Sequence, residues 1–193
     1  MQECEQSELT TARFIIDRAA SRFTVQAFST GLLSTFGHNP TIAIRDYEGE
    51  VDFVPGSYNH ASLRLIVKTA TLEVTDEMKR DDRIKLESTM RGEVLGVERY
   101  PDAVYKSDRI EVHKVSEDLV NASVAGELTL HGTTHPLGFD ARVLKIGAML
   151  RVSGQFTLRQ SDYGITPVSF AGGTLRLKDE LKFSFEVVAK KAD

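Results

Sequence analysis

Three of the five histidines lie in segments predicted to be loops, and imidazole is a common zinc ligand. His131 and His135 flank one tight turn, whereas His38 lies in a Gly-His-Asn-Pro segment. Three such side chains could form a zinc site and support a metal-dependent enzyme. No cysteine or acidic ligand motif accompanies them, however, and this pair spans a turn rather than one face of a helix. His131 could instead hydrogen-bond its own hairpin and fix the turn. We favour that role and predict no bound metal.

The other polar residues that could act in catalysis have commoner structural roles. Asp81 and Asp82 lie in a charged stretch typical of a solvated helix face, and Arg80 beside them could meet an anionic head group. Asp162, next to Tyr163, is a turn former before it is a general base. The sequence contains no Gly-x-Ser-x-Gly, Walker or dinucleotide-binding motif. We therefore predict a protein that is not an enzyme and needs no cofactor.

The histidine turn belongs to a long predicted β-hairpin. Apolar residues alternate with polar ones from Val124 to Leu130, stop at Gly132, and alternate again from Leu137 to Val143. This period of two is typical of strands with one solvated face. A lone hairpin cannot bury its apolar face, so other strands must cover it.

The same alternation recurs along most of the chain and predicts about ten strands, most of them longer than the usual 5–6 residues. Long alternating strands joined by short turns favour an antiparallel up-and-down β-barrel, and closure removes the exposed strand edges. Between residues 76 and 98 charged residues dominate and β-branched residues become rare. That composition predicts a helical insertion between two strands of one domain.

Length and charge exclude several classes of protein. A chain of 193 residues is long enough for one undivided β-barrel. The net charge of −4 comes from acids and bases scattered along the chain, so we predict no nucleic-acid partner. No apolar run approaches the roughly 18 residues that a membrane-spanning helix needs, so we predict no integral membrane segment.

The first residues are polar and acidic. Glu3, Glu5 and Glu8 lie where a signal peptide would carry a basic and then an apolar region, which favours a cytoplasmic location. Cys4 is the only cysteine, so no internal disulfide can form. We expect a flexible tail over residues 1–12 and a single barrel domain over residues 13–193.

The alternating strands predict an interior that is rich in phenylalanine. An eight-stranded barrel is wide enough either to be filled by side chains or to hold one slender ligand. From the pattern alone, a dry core and a ligand cavity remain equally open. The residues predicted to face inward are Phe23, Val25, Leu128, Leu130, Phe139, Phe156, Leu158, Phe183 and Phe185.

Three motifs resemble those of the YceI family of polyisoprenoid-binding, lipocalin-like proteins. They are residues 128–134, residues 159–165, and Arg80-Asp81 followed by Tyr100-Pro101. The motifs occur in the family's order, and the resemblance extends over nearly the whole chain, from Phe14 to Lys190.

The resemblance implies a mainly all-β, lipocalin-like antiparallel barrel holding one long isoprenoid or fatty lipid, with its head near an opening. Such a protein would carry or sequester the lipid without chemistry, and it could form a homodimer. The loops around residues 36–38 and 162–165, with Arg80, should then lie near one mouth. The alternatives are the metal-dependent enzyme and a ligand-free structural module of the stress response. The predicted ligand-binding residues are Phe23, Phe36, His38, Arg80, Leu128, His131, Phe139, Phe156, Asp162, Tyr163, Phe183 and Phe185.

Overall fold

The β-strands form one antiparallel sheet that closes on itself. The structure is a computed structural model and describes residues 11–30, 39–54, 57–170 and 175–192. The closed antiparallel sheet confirms the predicted mainly all-β, antiparallel barrel. Within these ranges the strands are β1 (Ala12–Ile16), β2 (Arg22–Thr30), β3 (Thr41–Ile44), β4 (Tyr47–Val54), β5 (Ser57–Lys68), β6 (Leu72–Val74), β7 (Asp102–Lys114), β8 (Leu119–Leu130), β9 (Thr133–Ile146), β10 (Met149–Arg159), β11 (Ser169–Phe170) and β12 (Leu175–Lys191).

Eight strands make up the closed ring of the barrel wall, and three of them continue across a kink into a second strand. The closed ring runs β1-β4-β5-β7-β8-β9-β10-β12, and β12 pairs back to β1. The strands β2, β3 and β6 prolong β1, β4 and β5 and pair as β12-β2-β3-β6. Kinks at residues 17–21, 45–46 and 69–71 therefore separate β1 from β2, β3 from β4 and β5 from β6. The sequence pattern alone does not reveal them.

Side-chain hydrogen bonds hold these kinks. The carboxylate of Asp17 accepts from the backbone N–H groups of Ala19 and Ala20, at 3.1 and 3.3 Å, and caps a single 3₁₀ turn. At the kink between β5 and β6, the Thr71 hydroxyl accepts from the Asp46 N–H at 3.1 Å. This bond links that kink to the one between β3 and β4. The kinks thus lie side by side, and β2, β3 and β6 extend the barrel wall beyond its closed ring.

The helical insertion lies at one end of the barrel, between β6 and β7. We call this the upper end, which also carries the β8–β9 turn, and the opposite end with the β9–β10 turn the lower end. The insertion consists of α1 (Arg80–Thr89) and a π-helical turn (Met90–Val94). It begins later than predicted because the Asp76 carboxylate accepts from the Thr41 N–H at 2.6 Å, which ties residue 76 to β3. No helix within the described ranges is long and apolar enough to cross a membrane.

Side chains of the insertion pair with the outer edge of β6, which has β3 on its other side. Glu87 Oε1 accepts from the Val74 N–H at 3.0 Å, and an Arg91 Nη2–H donates to the Leu72 carbonyl oxygen at 3.1 Å. Arg91 and Glu87 also pair with each other at 3.2 Å. Here helix side chains supply the hydrogen bonds that a neighbouring strand would normally supply, and they cover the edge.

Candidate functional site

The barrel interior contains a cavity of about 770 Å³, which lies within the size range of small-molecule binding sites. Its lining extends from the helical insertion at the upper end to the β9–β10 turn at the lower end. The nine residues predicted to face inward all line it: Phe23, Val25, Leu128, Leu130, Phe139, Phe156, Leu158, Phe183 and Phe185.

Five phenylalanines form one aromatic wall of the cavity. Phe156 stacks on Phe183 with ring centroids 4.8 Å apart and planes 6° apart, and on Phe139 at 5.5 Å. Phe23 meets Phe156, Phe183 and Phe185 edge-on, at 6.0 to 6.5 Å. Each offset or edge-to-face contact of this kind adds about 0.5–1.5 kcal/mol beyond area burial, so the five rings stabilise one continuous surface.

Besides the aromatic wall, two separate groups of buried side chains line the cavity. One consists of Ala12, Phe14, Leu150 and Ala189, and the other of Tyr105, Ala122 and Val124. Members of both groups line the cavity, and only the half-buried Val143 packs against both. The ring order places β1 and β12 opposite β7 and β8, so these two walls lie on opposite sides of the cavity.

The upper end is covered by packed side chains. Leu158, Tyr163 and Ile165 are buried together, and Val94 and Leu95 of the helical insertion pack against them. Tyr163 is only 2% exposed.

All the exposed residues of the described cavity lining lie at the lower end. They come from the β7–β8 loop, the β9–β10 turn and the end of β12, and they include every charged group of the described lining. These residues are Glu117, Asp118, Lys145, Gly147, Ala148 and Lys191. We call them the mouth. An amphiphile whose tail enters here would keep its head among two carboxylates and two ammonium groups.

His131 links two loops of the upper end. Its φ of 51°, followed by 75° at Gly132, gives the left-handed turn that suits a two-residue hairpin. The Nδ1–H of His131 donates to the Tyr163 carbonyl oxygen at 3.3 Å, and its ring lies 4.5 Å from that of Tyr100. The expected hydrogen bond within its own hairpin is therefore replaced by one to a segment 32 residues away.

The histidines provide no metal site within the described part of the chain, where no group of three or more His, Cys, Asp or Glu residues could hold an ion. The ring of His135 meets that of Tyr163 edge-on at 5.5 Å. His38 lies outside the described residues, so the structure does not describe the predicted convergence of the three histidines.

A family model decides what kind of protein carries this cavity. Residues 14–189 match the model described as the YceI-like domain. The chain belongs to this family. A UPF0312 protein of Pseudomonas savastanoi pv. phaseolicola is 28% identical over 186 residues, which cover 93% of this chain and 88% of the relative.

Solved structures share the YceI-like barrel. BcnA of Burkholderia cenocepacia has a TM-score of 0.69 at 18% identity, covering 91% of this chain and 99% of that one. A polyisoprenoid binding domain from Saccharophagus degradans, implicated in plant cell wall breakdown, has a TM-score of 0.67 at 14% identity, covering 96% and 100%. At these identities the likeness concerns the fold.

The predicted mouth residues of this YceI-like chain do not surround the observed opening. The side chains of Arg80 and Asp162 are exposed and do not line the cavity. Tyr163 is buried beneath the upper end, and His131 lies beside it; neither lines the cavity. Phe36 and His38 lie outside the described residues. Arg80 and residues 162–165 thus lie together at the upper end, whereas the exposed part of the described cavity lining lies at the lower end.

Tyr47 is a cavity residue that the sequence did not indicate, because it follows the kink at residues 45–46 and looked like part of a turn. The side chain is 4% exposed, and its ring lies 6.2 Å from that of Phe23. Its hydroxyl is buried and makes no hydrogen bond of normal geometry among the described residues, and burial raises the pKa of this phenol although the nearby Ser21 hydroxyl lowers it in part. The ring of Tyr47 therefore adds to the cavity lining, whereas its hydroxyl is not exposed to the cavity.

Tyr47→Phe should stabilise the ligand-free protein, because the change removes a buried hydroxyl that makes no hydrogen bond. We expect the free energy of unfolding to rise by about 1 kcal/mol in urea denaturation. Tyr105→Phe is the matched control. Tyr105 is equally buried, and burial raises its pKa to about 12, but its hydroxyl donates to the Leu137 carbonyl oxygen at 3.1 Å. That variant should lose about 1 kcal/mol. Equal losses in both variants would contradict the assignment.

Proposed function

We propose that the protein binds one long hydrophobic molecule of the isoprenoid class inside the barrel and carries or sequesters it without chemistry. The observation behind this proposal is a cavity lined by aliphatic and aromatic side chains, with its charged groups confined to the mouth. Such a lining selects for a molecule with an apolar body and a polar end. Among the described lining residues, no pair of charged acid and base groups lies along that body.

The energetics favour a long chain. Each CH₂ group removed from water contributes about 0.8 kcal/mol, so about ten groups offset much of the cost of association, which is of the order of 4–15 kcal/mol. At about 30 Å³ per group, the volume of one liquid water, a cavity of about 770 Å³ has room for about 25 carbon-sized groups. A short fatty chain would leave much of this space empty. A chain of several isoprene units would fill it.

The structural neighbours support the same class. The Saccharophagus degradans domain is a polyisoprenoid binding domain, and the barrels correspond over nearly their whole length. Fatty lipids remain the alternative chemistry for the same cavity, so the experiment must compare the two.

Native mass spectrometry of the purified protein tests the proposal. We expect a co-purified lipid or, after delipidation, uptake of one polyprenyl alcohol per chain, in preference to a saturated fatty acid that reaches the same length. Uptake of the fatty acid alone would replace the isoprenoid assignment with a fatty-lipid one. A folded, delipidated protein that retains neither molecule would refute the carrier function.

A further inference from the structure

Exposed apolar side chains are concentrated at the lower end of the barrel. Six large hydrophobic residues are exposed among the described residues, and five of them lie around this end. These five, which we call the lower rim, are Ile15 at 51%, Val115 at 57%, Leu144 at 37%, Ile146 at 45% and Met149 at 38% exposure. The sixth is Ile84 on α1, at the upper end.

The strand registers show which residues of the lower rim lie next to one another. Met149 lies opposite Ile146 on β9 and opposite Lys190 on β12, and Lys190 lies opposite Ile15 on β1. On the other side, Leu144 lies opposite Leu119, whose carbonyl oxygen accepts from the Val115 N–H at 2.9 Å. The apolar band thus crosses β10, β9 and the β7–β8 loop, and Lys190 on β12 lies between it and Ile15 on β1.

Basic residues accompany this band. Residues 142–151 carry Arg142, Lys145 and Arg151 and no acid, although the whole chain has a net charge of −4. Lys190 and Lys191 follow at the end of β12, Lys190 being paired with Asp17 at 2.5 Å. The acids next to the band are Glu50, which lies opposite Ile15 on β4, Asp17, and Glu117 and Asp118 of the β7–β8 loop.

We infer that the lower rim docks on a bilayer that contains anionic phospholipid. Apolar side chains flanked by Lys and Arg are the composition that binds the interface of such a bilayer. A second copy of the chain fits less well, because a two-fold contact would bring Arg142, Lys145 and Arg151 of the β9–β10 hairpin close to the same three residues of the other copy.

The lower rim borders the mouth, and this connects docking with the proposed carrier function, on which this step rests. Lys145, Gly147 and Ala148 of the mouth belong to the same hairpin as Leu144, Ile146 and Met149 of the rim. A docked barrel would therefore present its opening to the lipid layer. A hydrophobic chain could pass between bilayer and cavity without crossing water.

Vesicle flotation tests the inference, using phosphatidylcholine vesicles with and without phosphatidylglycerol. We expect the full chain to bind the anionic vesicles and to be released by added salt. Ile146→Glu should weaken this binding about tenfold or more, because embedding one isoleucine side chain is worth at least that factor. Arg151→Gln should weaken it about fivefold on anionic vesicles only. Ile84→Glu, a matched exposed isoleucine, should bind like the wild type.

Three results would overturn the inference. They are no flotation of the wild type, equal loss in Ile146→Glu and Ile84→Glu, or a wild-type dimer in light scattering that Ile146→Glu dissociates while neither form binds vesicles. Polyprenol uptake from detergent solution, measured on the same folded variants, separates docking from cavity binding. Ile146→Glu should retain that uptake, so a failure of docking does not count against the carrier function.

Discussion

Phe156→Asp should abolish retention of a long-chain lipid and strongly destabilise the protein. The ring of Phe156 lies at the centre of the aromatic wall, 4.8 Å from Phe183 and 5.5 Å from Phe139. Removing such a ring costs about 3–5 kcal/mol of stability. A carboxylate in its place would have no positive partner, and burying it costs several kcal/mol more. The same charge would lie against the tail of any bound lipid.

Two controls make this result interpretable. Thr157→Asp places the same charge on the next residue, which is exposed on the outer face and lies opposite Lys182, so it should change neither stability nor uptake appreciably. Phe156→Leu keeps the apolar character and should lower stability while preserving uptake. Native mass spectrometry with polyprenyl alcohol, on samples shown to be folded by circular dichroism, gives the readout. A folded Phe156→Asp protein that still takes up the lipid would contradict the proposed site.

The second large effect is expected at Gly126→Ala in β8. A Cβ atom at this position would lie 2.2 Å from the Lys106 carbonyl oxygen and 2.7 Å from the Ser107 Cα, both of them backbone atoms of β7. β7 bulges here, between Ser107 and Arg109, and cannot withdraw without losing its ladder to β8. We expect a loss of about 3 kcal/mol, the upper part of the range for overpacking.

Gly138→Ala is the matched control for this glycine. Gly138 lies on β9 opposite Ala125, the residue before Gly126, but a Cβ atom there would meet only the Val124 carbonyl oxygen, at an ordinary 3.5 Å. Its free energy of unfolding should change by less than about 0.5 kcal/mol. Urea denaturation measures both variants. Similar stabilities for the two would show that the close approach of β7 and β8 at Gly126 is unimportant.

The inner face of the barrel was predictable because sheet geometry dictates it. Successive side chains of a strand point to opposite faces, so the alternation around Phe139, Phe156 and Phe183 identifies the interior with no knowledge of the pairing. The closed antiparallel architecture follows from the length of these strands. Whether the interior is filled or empty depends on how side chains of different strands meet, and alternation carries no such information.

The end at which the cavity opens was not predictable for the same reason. A period of two assigns a face but not a height along the barrel. The exposed positions of Lys145 and Lys191 in the mouth follow from strand registers set by distant parts of the chain. His131 is a further example, since its partner is the carbonyl group of Tyr163 on another loop. Tyr47 was missed because a kink interrupts the alternation just before it.

The two facing walls of the cavity affect how the protein responds to hydrostatic pressure. Pressure favours the state of smaller volume, and unfolding eliminates internal voids. The ligand-free barrel, with an apolar cavity between its walls, should therefore unfold at a lower pressure than the same barrel with a hydrocarbon chain between the walls. The volume change on unfolding then depends on whether the cavity holds a lipid. It can be followed from the midpoint pressure of unfolding, with no label on the lipid.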